Sequence, residues 1–188
     1  MFAEVASTDR ILDIVVELLE TEGYDAVQLR EVARRARTSL ATIYKRYGTR
    51  DELILAALDC WMEENRYSGL TKPHDTDESI YLGLMRVLRT IFEPWERHPA
   101  MLKAYFRART APGGKKLVRR GFDAVVPAVM EVLADADPEF VRDMDAIVSN
   151  VAYGLLGRFA VGEIEITEIV PGLDRTVQYL TTAYERTR

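Results

Sequence analysis

Apolar positions recur along this 188-residue chain at intervals of three and four, and no stretch alternates with the period of two that a half-buried strand requires. The spacing predicts helices from end to end. The first carries Ile11, Leu12, Val15, Val16, Leu18 and Leu19, has Ser7, Thr8 and Asp9 as candidate caps, and closes at Gly23. Two short patterns follow. Leu29, Val32, Ala33 and Ala36 mark one helix over roughly 29–36, and Leu40, Ile43, Tyr44 and Tyr47 mark another over roughly 40–47. Only Arg37-Thr38-Ser39 lies between them, with Ser39 as a good N-cap and Gly48 as the stop. Thr49-Arg50-Asp51-Glu52 then reads as a capping box that opens a fourth helix through Leu53, Leu55, Ala56, Leu58 and Trp61.

The stretch 66–77, RYSGLTKPHDTD, is polar with Gly and Pro and reads as a linker to a second helical region. There the pattern predicts a helix over 77–95 (Ile80, Leu84, Val87, Leu88, Ile91, Phe92), a break at Pro94 and Pro99, and a short helix holding Met101, Leu102, Tyr105 and Phe106. A longer helix runs over about 115–133 with Pro127 as a kink, another opens at Asp137-Pro138, and the last opens at Pro171 or Asp174. The expected fold class is all-α, with about nine helices and no internal repeat. Residues 1–50 form a small three-helix domain and residues 51–188 a larger helical one, joined by the helix that starts at 51.

Composition narrows this picture. With 48% hydrophobic residues the chain can bury a real core and is not disordered. No apolar run approaches the roughly 20 residues of a membrane helix, so no membrane partner is expected. The N-terminal MFAEVASTDR lacks the basic and apolar regions of a signal peptide. The single cysteine, Cys60, is expected to be a small buried apolar residue; it permits no intrachain disulfide, and the expected home is the cytoplasm.

Charge is uneven. The net value is −5, yet residues 28–51 carry seven cations (Arg30, Arg34, Arg35, Arg37, Lys45, Arg46, Arg50) against Glu31 and Asp51, a local +5. Residues 1–50 balance at eight basic and eight acidic, leaving 17 basic and 22 acidic to residues 51–188. An acidic body is repelled by phosphate and a basic segment is attracted, which would orient the molecule on DNA. Two short helices joined tightly, with cations on the second and its approaches, suit insertion of a helix into a DNA groove. A plain three-helix core with a solvated basic face fits the same pattern.

The stretch ILDIVVELLETEGYDAVQLREVARRARTSLATIYKRYGTRDELILAAL resembles the DNA-binding region of the TetR family of bacterial transcriptional regulators. The matching elements are an apolar first helix ending in Gly-aromatic, Val32-Ala33, Thr42-Ile43-Tyr44 followed by Tyr47, and a basic residue just before an Asp-Glu-Leu helix start. The resemblance covers about residues 8–58. It departs at Gln28, where Thr or Ser commonly caps the second helix, at Arg37 in a turn position usually held by Gly, at Ala41 in place of a frequent Gly and at Arg50 in place of Lys. The resemblance implies that Gln28, Tyr44 and Arg50 meet phosphates. Arg37, Thr38, Ser39, Leu40, Thr42, Lys45 and Arg46 are candidates for base edges or flanking phosphates. Tyr47 is read as core.

In the second region large, adaptable residues accumulate: Trp61, Met85, Leu88, Phe92, Trp95, Met101, Tyr105, Phe106, Phe122, Val126, Met130 and Tyr153. Each alone suits a core; together they suit a largely apolar cavity for a small hydrophobic effector. Tyr81, Tyr105, Arg107, Arg109 and Tyr153 are its candidate polar handles. Small residues in SNVAYGLLG (149–157), with Val170, Leu173, Val177, Leu180 and Tyr184 on the last helix, resemble the family's four-helix dimer interface. The resemblance thus implies a homodimer through the two C-terminal helices and a double-stranded DNA operator. No phosphate-binding Gly-rich loop, Gly-x-Ser-x-Gly elbow or metal-ligand cluster is present, and the histidines are His74 and His98. No catalytic residue, metal or cofactor is therefore expected. Two functions fit: a ligand-responsive regulator, either repressor or activator, or an all-helical ligand-binding or interaction protein without DNA-binding activity.

Overall fold

A computed structural model describes residues 2–70 and 78–187, with side chains from Arg10 onward. The described residues form nine α-helices and no strand: α1 (Phe2–Thr21), α2 (Leu29–Ala36), α3 (Leu40–Tyr47), α4 (Arg50–Met62), α5 (Ile80–Arg97), α6 (Pro99–Ala108), α7 (Gly114–Val132), α8 (Pro138–Ala160) and α9 (Ile169–Thr187). Short 3-10 turns at Tyr24–Ala26 and Ile166–Glu168 and a π-helical turn at Glu63–Tyr67 complete them. Helix α1 begins at Phe2, upstream of the expected caps Ser7 to Asp9. Of the expected linker, residues 71–77 lie outside the described residues, as do His74 and the expected start of a helix at Asp77. Arg66 and Tyr67 at its other end are buried in the π-helical turn.

Two compact units form, and they do not follow chain order: one comprises residues 1–64 with 98–120, the other 65–97 with 121–188. In the first unit Ile11, Val15, Leu18 and Leu19 of α1 face Val32 and Ala33 of α2, Ile43 of α3 and Leu53, Ile54, Leu58 and Trp61 of α4, each at most 6% exposed. Helix α6 packs on α1 and α4 through Met101, Leu102, Ala104 and Ala108. Burying four such side chains stabilises the seat of α6 by several kcal/mol, about 1.5–3 for each large one. Cys60 is half-buried rather than enclosed, and its Sγ faces Glu64 at 3.5 Å.

In the second unit α5 packs against α9, and α9 against α8. Its core is Leu84, Met85, Val87, Leu88, Ile91, Phe92 and Trp95 with Met144, Leu156, Phe159, Ile169, Leu173 and Val177. Gly83 permits a close approach of α7, since a Cβ there would stand 2.7 Å from Val132 Cγ1. The expected break at Pro94 does not occur. Pro94 is buried inside α5, which runs on to Arg97 and stops before Pro99. An internal proline costs about 3 kcal/mol; the uninterrupted helix keeps Ile91, Phe92 and Trp95, all at most 6% exposed, on one buried face. Arg66 lies 4.4 Å over the Trp95 ring and its Nε donates to the Ile91 carbonyl at 2.7 Å, which seats a cation at only 8% exposure.

Candidate nucleic-acid interface

Helices α2 and α3 are eight residues each, too short to persist alone, so their ends decide their placement. Helix α2 ends in a paired set of reverse bonds: the Arg37 amide donates to the Arg34 carbonyl at 3.3 Å and the Thr38 amide to the Ala33 carbonyl at 3.0 Å. This closure requires a left-handed residue, and Arg37 supplies it at φ 52°, ψ 43°, the one non-glycine with positive φ among the described residues. An L-residue held there costs about 1–2 kcal/mol relative to the right-handed region. The N-cap of the next helix stands two residues on. Ser39 accepts from the Thr42 amide at 3.0 Å, and the Ser39 and Thr42 hydroxyls lie 2.8 Å apart. A stop and a start so close leave α2 and α3 joined by a turn with no slack.

Helix α3 ends at Gly48, whose φ of 64° would strain any other residue. The capping box at α4 forms only in part: Thr49 accepts from the Glu52 amide at 3.1 Å, but the Thr49 amide donates to the Tyr47 carbonyl at 2.6 Å. Gln28 stands at the N-cap of α2 without capping it. Its Nε2 turns back to the Asp25 carbonyl at 2.9 Å, because the long amide reaches the preceding turn more easily than its own helix end.

The turn before α2 is held from two sides. Arg50, at the start of α4, donates from Nε to the Val27 carbonyl and from a terminal nitrogen to the Tyr24 carbonyl, both at 2.5 Å. Arg107 of α6 makes two bonds to Asp25 at 2.7 and 2.8 Å. The Tyr24 ring has the Arg107 guanidinium at 4.4 Å and the Arg50 guanidinium at 5.0 Å. Bonding to Arg107 holds the Asp25 carboxyl below its ordinary range, and partial burial pushes the Tyr24 hydroxyl up. Sequence reasoning reads Arg50 as a phosphate contact and Arg107 as a ligand handle. The structure gives both a positioning duty at the entrance to α2, which only tertiary contact between distant positions could reveal.

On α3, Ile43 is buried, whereas Ala41, Tyr44 and Lys45 are exposed; Leu40, Thr42 and Arg46 are partly so. Tyr44 stands 51% exposed, while Tyr47 is half-buried. Before α3, Thr38 is half-buried, and Arg37 and Ser39 are exposed. The segment 37–46 thus presents hydroxyls, methyls and cations on a tightly capped helix, donors and apolar groups of the kind that read base edges in the major groove. Behind it Glu31 accepts from Arg34 and Arg35, and Arg35 reaches Glu22, just past the end of α1, at 2.7 Å.

Residues 11–57 match the model for bacterial regulatory proteins of the tetR family, and residues 78–180 match the tetracyclin repressor-like C-terminal domain. The chain belongs to the TetR family. It is accordingly a DNA-binding transcriptional regulator and not an enzyme. It is 40% identical over 178 residues to an HTH-type transcriptional regulator in the dhlA 5′ region of Xanthobacter autotrophicus, a match covering 78% of this chain and 88% of that one. It is 25% identical over 184 residues, 94% of this chain and 88% of the other, to the HTH-type transcriptional repressor KstR of Mycolicibacterium smegmatis. The match to YvkB of Bacillus subtilis, 32% over 98 residues, spans about half of each chain (52% and 50%). A TetR regulator from Rhodococcus sp. RHA1 shares the fold, with a TM-score of 0.70 at 19% identity over 93% of this chain and 94% of that one. TetR-family regulators bind DNA and form dimers.

The residues expected around an effector scatter by burial. Trp61, Met101, Tyr105 and Phe106 fall in the first unit; Met85, Leu88, Phe92, Trp95, Phe122, Val126, Met130 and Tyr153 fall in the second. Trp61, Met85, Leu88, Phe92, Trp95 and Met101 are buried, and Tyr105 and Phe106 are half-buried. Phe122, Val126, Met130 and Tyr153 are on the surface at 37–48% exposure, with the Phe122 and Tyr153 rings 6.5 Å apart. Among the handles, the Tyr81 hydroxyl donates to Asp174 at 2.7 Å and Arg109 lies 3.8 Å over the Phe106 ring. The first unit also holds a groove of about 320 Å³ between α1 and α4, lined by Leu12, Val16, Cys60, Trp61 and the carboxylates of Asp13, Glu17, Glu20 and Glu64. Its anionic rim repels phosphate.

The expected dimer face needs one correction. Leu173, Val177 and Tyr184 of α9 are buried inside the second unit, where the Tyr184 hydroxyl donates to Asp137 at 3.0 Å and its ring stacks on Phe140 at 3.9 Å. They form the face turned to its core. The exposed large apolar positions are Tyr179 on α9, at 72%, Ile147 and Tyr153 on α8, at 41% and 37%, and Val161 at the C-cap of α8, at 70%. Ile147, Gly154 and Val161 recur every seven residues, and a Cβ on Gly154 would meet nothing within 4 Å.

Among the described residues no helix is long and apolar enough to cross a membrane.

Proposed function

We propose that this TetR-family protein is a cytoplasmic repressor that binds a palindromic operator as a homodimer and is released by a small, largely hydrophobic ligand. The observation that carries the reading is the turn Arg37–Ser39, closed on one side by reverse bonds and on the other by the Ser39 cap, which presents the exposed Tyr44 and Lys45 on α3. Tyr44, Gln28 and Arg50 meet phosphates and set the register; Arg50 uses two of its five donor hydrogens on carbonyls and keeps the rest. Arg37, Thr38, Ser39, Leu40, Thr42, Lys45 and Arg46 meet base edges or the adjoining backbone. The repressor sense is supported by the KstR proteins, which are named as repressors.

Dimerisation joins α8 and α9 of two copies through the face bearing Ile147, Gly154, Val161 and Tyr179. Seven-residue spacing along α8 and its C-cap is what two helices packed at a shallow angle require. A two-fold pair places two α3 helices about 34–36 Å apart, one turn of DNA. A hydrophobic ligand enclosed by α5, α7 and α8, with Met85, Leu88, Phe92 and Trp95 on the α5 side, favours a dimer whose two α3 helices no longer match that spacing. By linkage, DNA then weakens ligand binding by the same factor.

Selection of bound duplexes from a random pool tests the reading. An enriched palindrome, bound with a steep salt dependence and weakened by Tyr44→Phe and Lys45→Ala, is expected. Failure of the pool to enrich, or affinity unchanged in both variants, would refute it.

A further inference from the structure

Residues 98–120 contain seven lysines and arginines and no aspartate or glutamate. That local +7 exceeds the +5 of residues 28–51. The segment folds into the same unit as the helix-turn-helix. Residues 1–64 alone hold 8 basic and 13 acidic groups; adding 98–120 turns −5 into +2, whereas the other unit has 10 basic and 17 acidic groups, −7. The cationic half of the molecule is therefore made by α6 and the start of α7 as much as by α3.

Its placement is specific. At the C-terminal end of α6, Arg107 is bonded to Asp25, three residues before the N-cap of α2. The loop that follows lies on α4: a Cβ at Gly113 would stand 3.2 Å from Leu55, five residues past the Arg50 that opens that helix. Lys115 and Lys116 emerge directly from this loop and are exposed. Arg107 is paired with Asp25, and Arg120 with Asp59 and Glu63. Lys115 and Lys116 have no ion pair among the described residues. They also occupy the first turn of α7, where the helix field opposes cations and no acidic residue offsets them. Two adjacent cations held at a local cost, directly after a loop that rests on α4 at Leu55, are placed for an anion that the chain itself does not provide.

We propose that Lys115 and Lys116 form a second DNA contact, a sequence-independent clamp on the phosphates that flank the half-site occupied by α3. Lysine suits such a contact, because a compact charge on a flexible stem follows a backbone without demanding one geometry. The contact adds affinity and salt dependence but no base preference. It rests on the reading that α3 enters the groove.

The test uses the full chain and two duplexes, one enriched from a random pool and one scrambled, titrated by fluorescence anisotropy over a salt series. The K115Q/K116Q variant is expected to weaken both duplexes by the same factor, several-fold. The slope of log Kobs against log salt becomes shallower by about 1.8, two contacts at about 0.9 each. K115R/K116R restores the affinity, and trimming the flanks of the duplex brings the wild type down to the level of K115Q/K116Q. Because relief of the α7 helix end works in the opposite direction, K115Q/K116Q melts slightly higher than the wild type, so weaker DNA binding cannot come from misfolding. Unchanged affinity and slope overturn the clamp, as does a loss confined to the enriched duplex. If Lys45→Ala also leaves the enriched duplex unaffected, the reading of α3 fails instead.

Discussion

Helices α3 and α8 are both far from filled by their own chain, and they differ in what they leave open. Of the eight residues of α3, Ile43 is buried; of the 23 of α8, Met144, Leu156 and Phe159 are. The outer face of α3 carries Tyr44 and Lys45, while α8 carries Ile147 and Tyr153, with Val161 at its C-cap. A cationic, hydroxylated face loses little by standing in water and gains when it meets a polyanion. An apolar face is disfavoured in water until another apolar face covers it. Equal incompleteness thus points to different partners, DNA for α3 and a second copy for α8. The two also differ in rigidity of mounting, since α3 is stopped and started by caps within a few residues and α8 runs long.

The comparison breaks most decisively at α8. Ile147→Asp with Val161→Asp places charges on the uncovered apolar face without touching the core of the unit. The variant is expected to sediment as a monomer and to lose on the order of 100-fold in operator affinity, because two half-sites held together bind far more tightly than one. A dimer that survives both charges would show that this face is not the interface. At α3 the effect is smaller. Lys45→Ala should cost about 1–3 kcal/mol of discrimination between the enriched and scrambled duplexes if its ammonium reads a base. Equal losses on the two duplexes would make Lys45 a phosphate contact.

What was legible in the sequence follows the same divide. Helices α2 and α3 could be bounded to the residue from Ser39, Gly48 and the apolar spacing, because caps and periodicity are local. Pro94 misled because the burial of Phe92 and Trp95, which holds α5 together through it, depends on neighbours far along the chain. The right helix but the wrong face of α9 was legible: Leu173 and Val177 look like interface until α5 is seen to cover them. Arg107 could not be joined to Asp25 across 82 positions by any spacing rule. The charge of residues 98–120 was visible throughout; its membership in the first unit was not.

Arg37 sharpens the view of α3 as a mounted element. It holds a left-handed backbone that glycine adopts without strain, so Arg37→Gly should stabilise the fold by about 1 kcal/mol and raise Tm by about 2–4 °C. If its guanidinium also meets the DNA, the same variant binds the enriched duplex more weakly. Higher Tm with unchanged affinity would mean that the arginine is tolerated there and does nothing for recognition. A fall in Tm would mean that its side chain repays the strain inside the protein.

The smallest effect concerns the charges behind the turn. Bonds from Arg34 and then Arg35 lower the Glu31 carboxyl from 4.5 to about 2. A carboxyl depressed on folding contributes stability that is fully present above its unfolded value and is lost as pH falls through the folded one. The Tm difference between wild type and Glu31→Gln should therefore be constant above about pH 5 and shrink between 4.5 and about 2. It should be small throughout, because the group is exposed and water screens it. Glu31→Gln also releases Arg34 and Arg35 from their shared anion, so it should tighten binding to the scrambled duplex at low salt. A pH-independent difference would show that the carboxylate contributes nothing to the fold. Unaltered binding to the scrambled duplex would show that the two arginines stand too far from the phosphates to act on them.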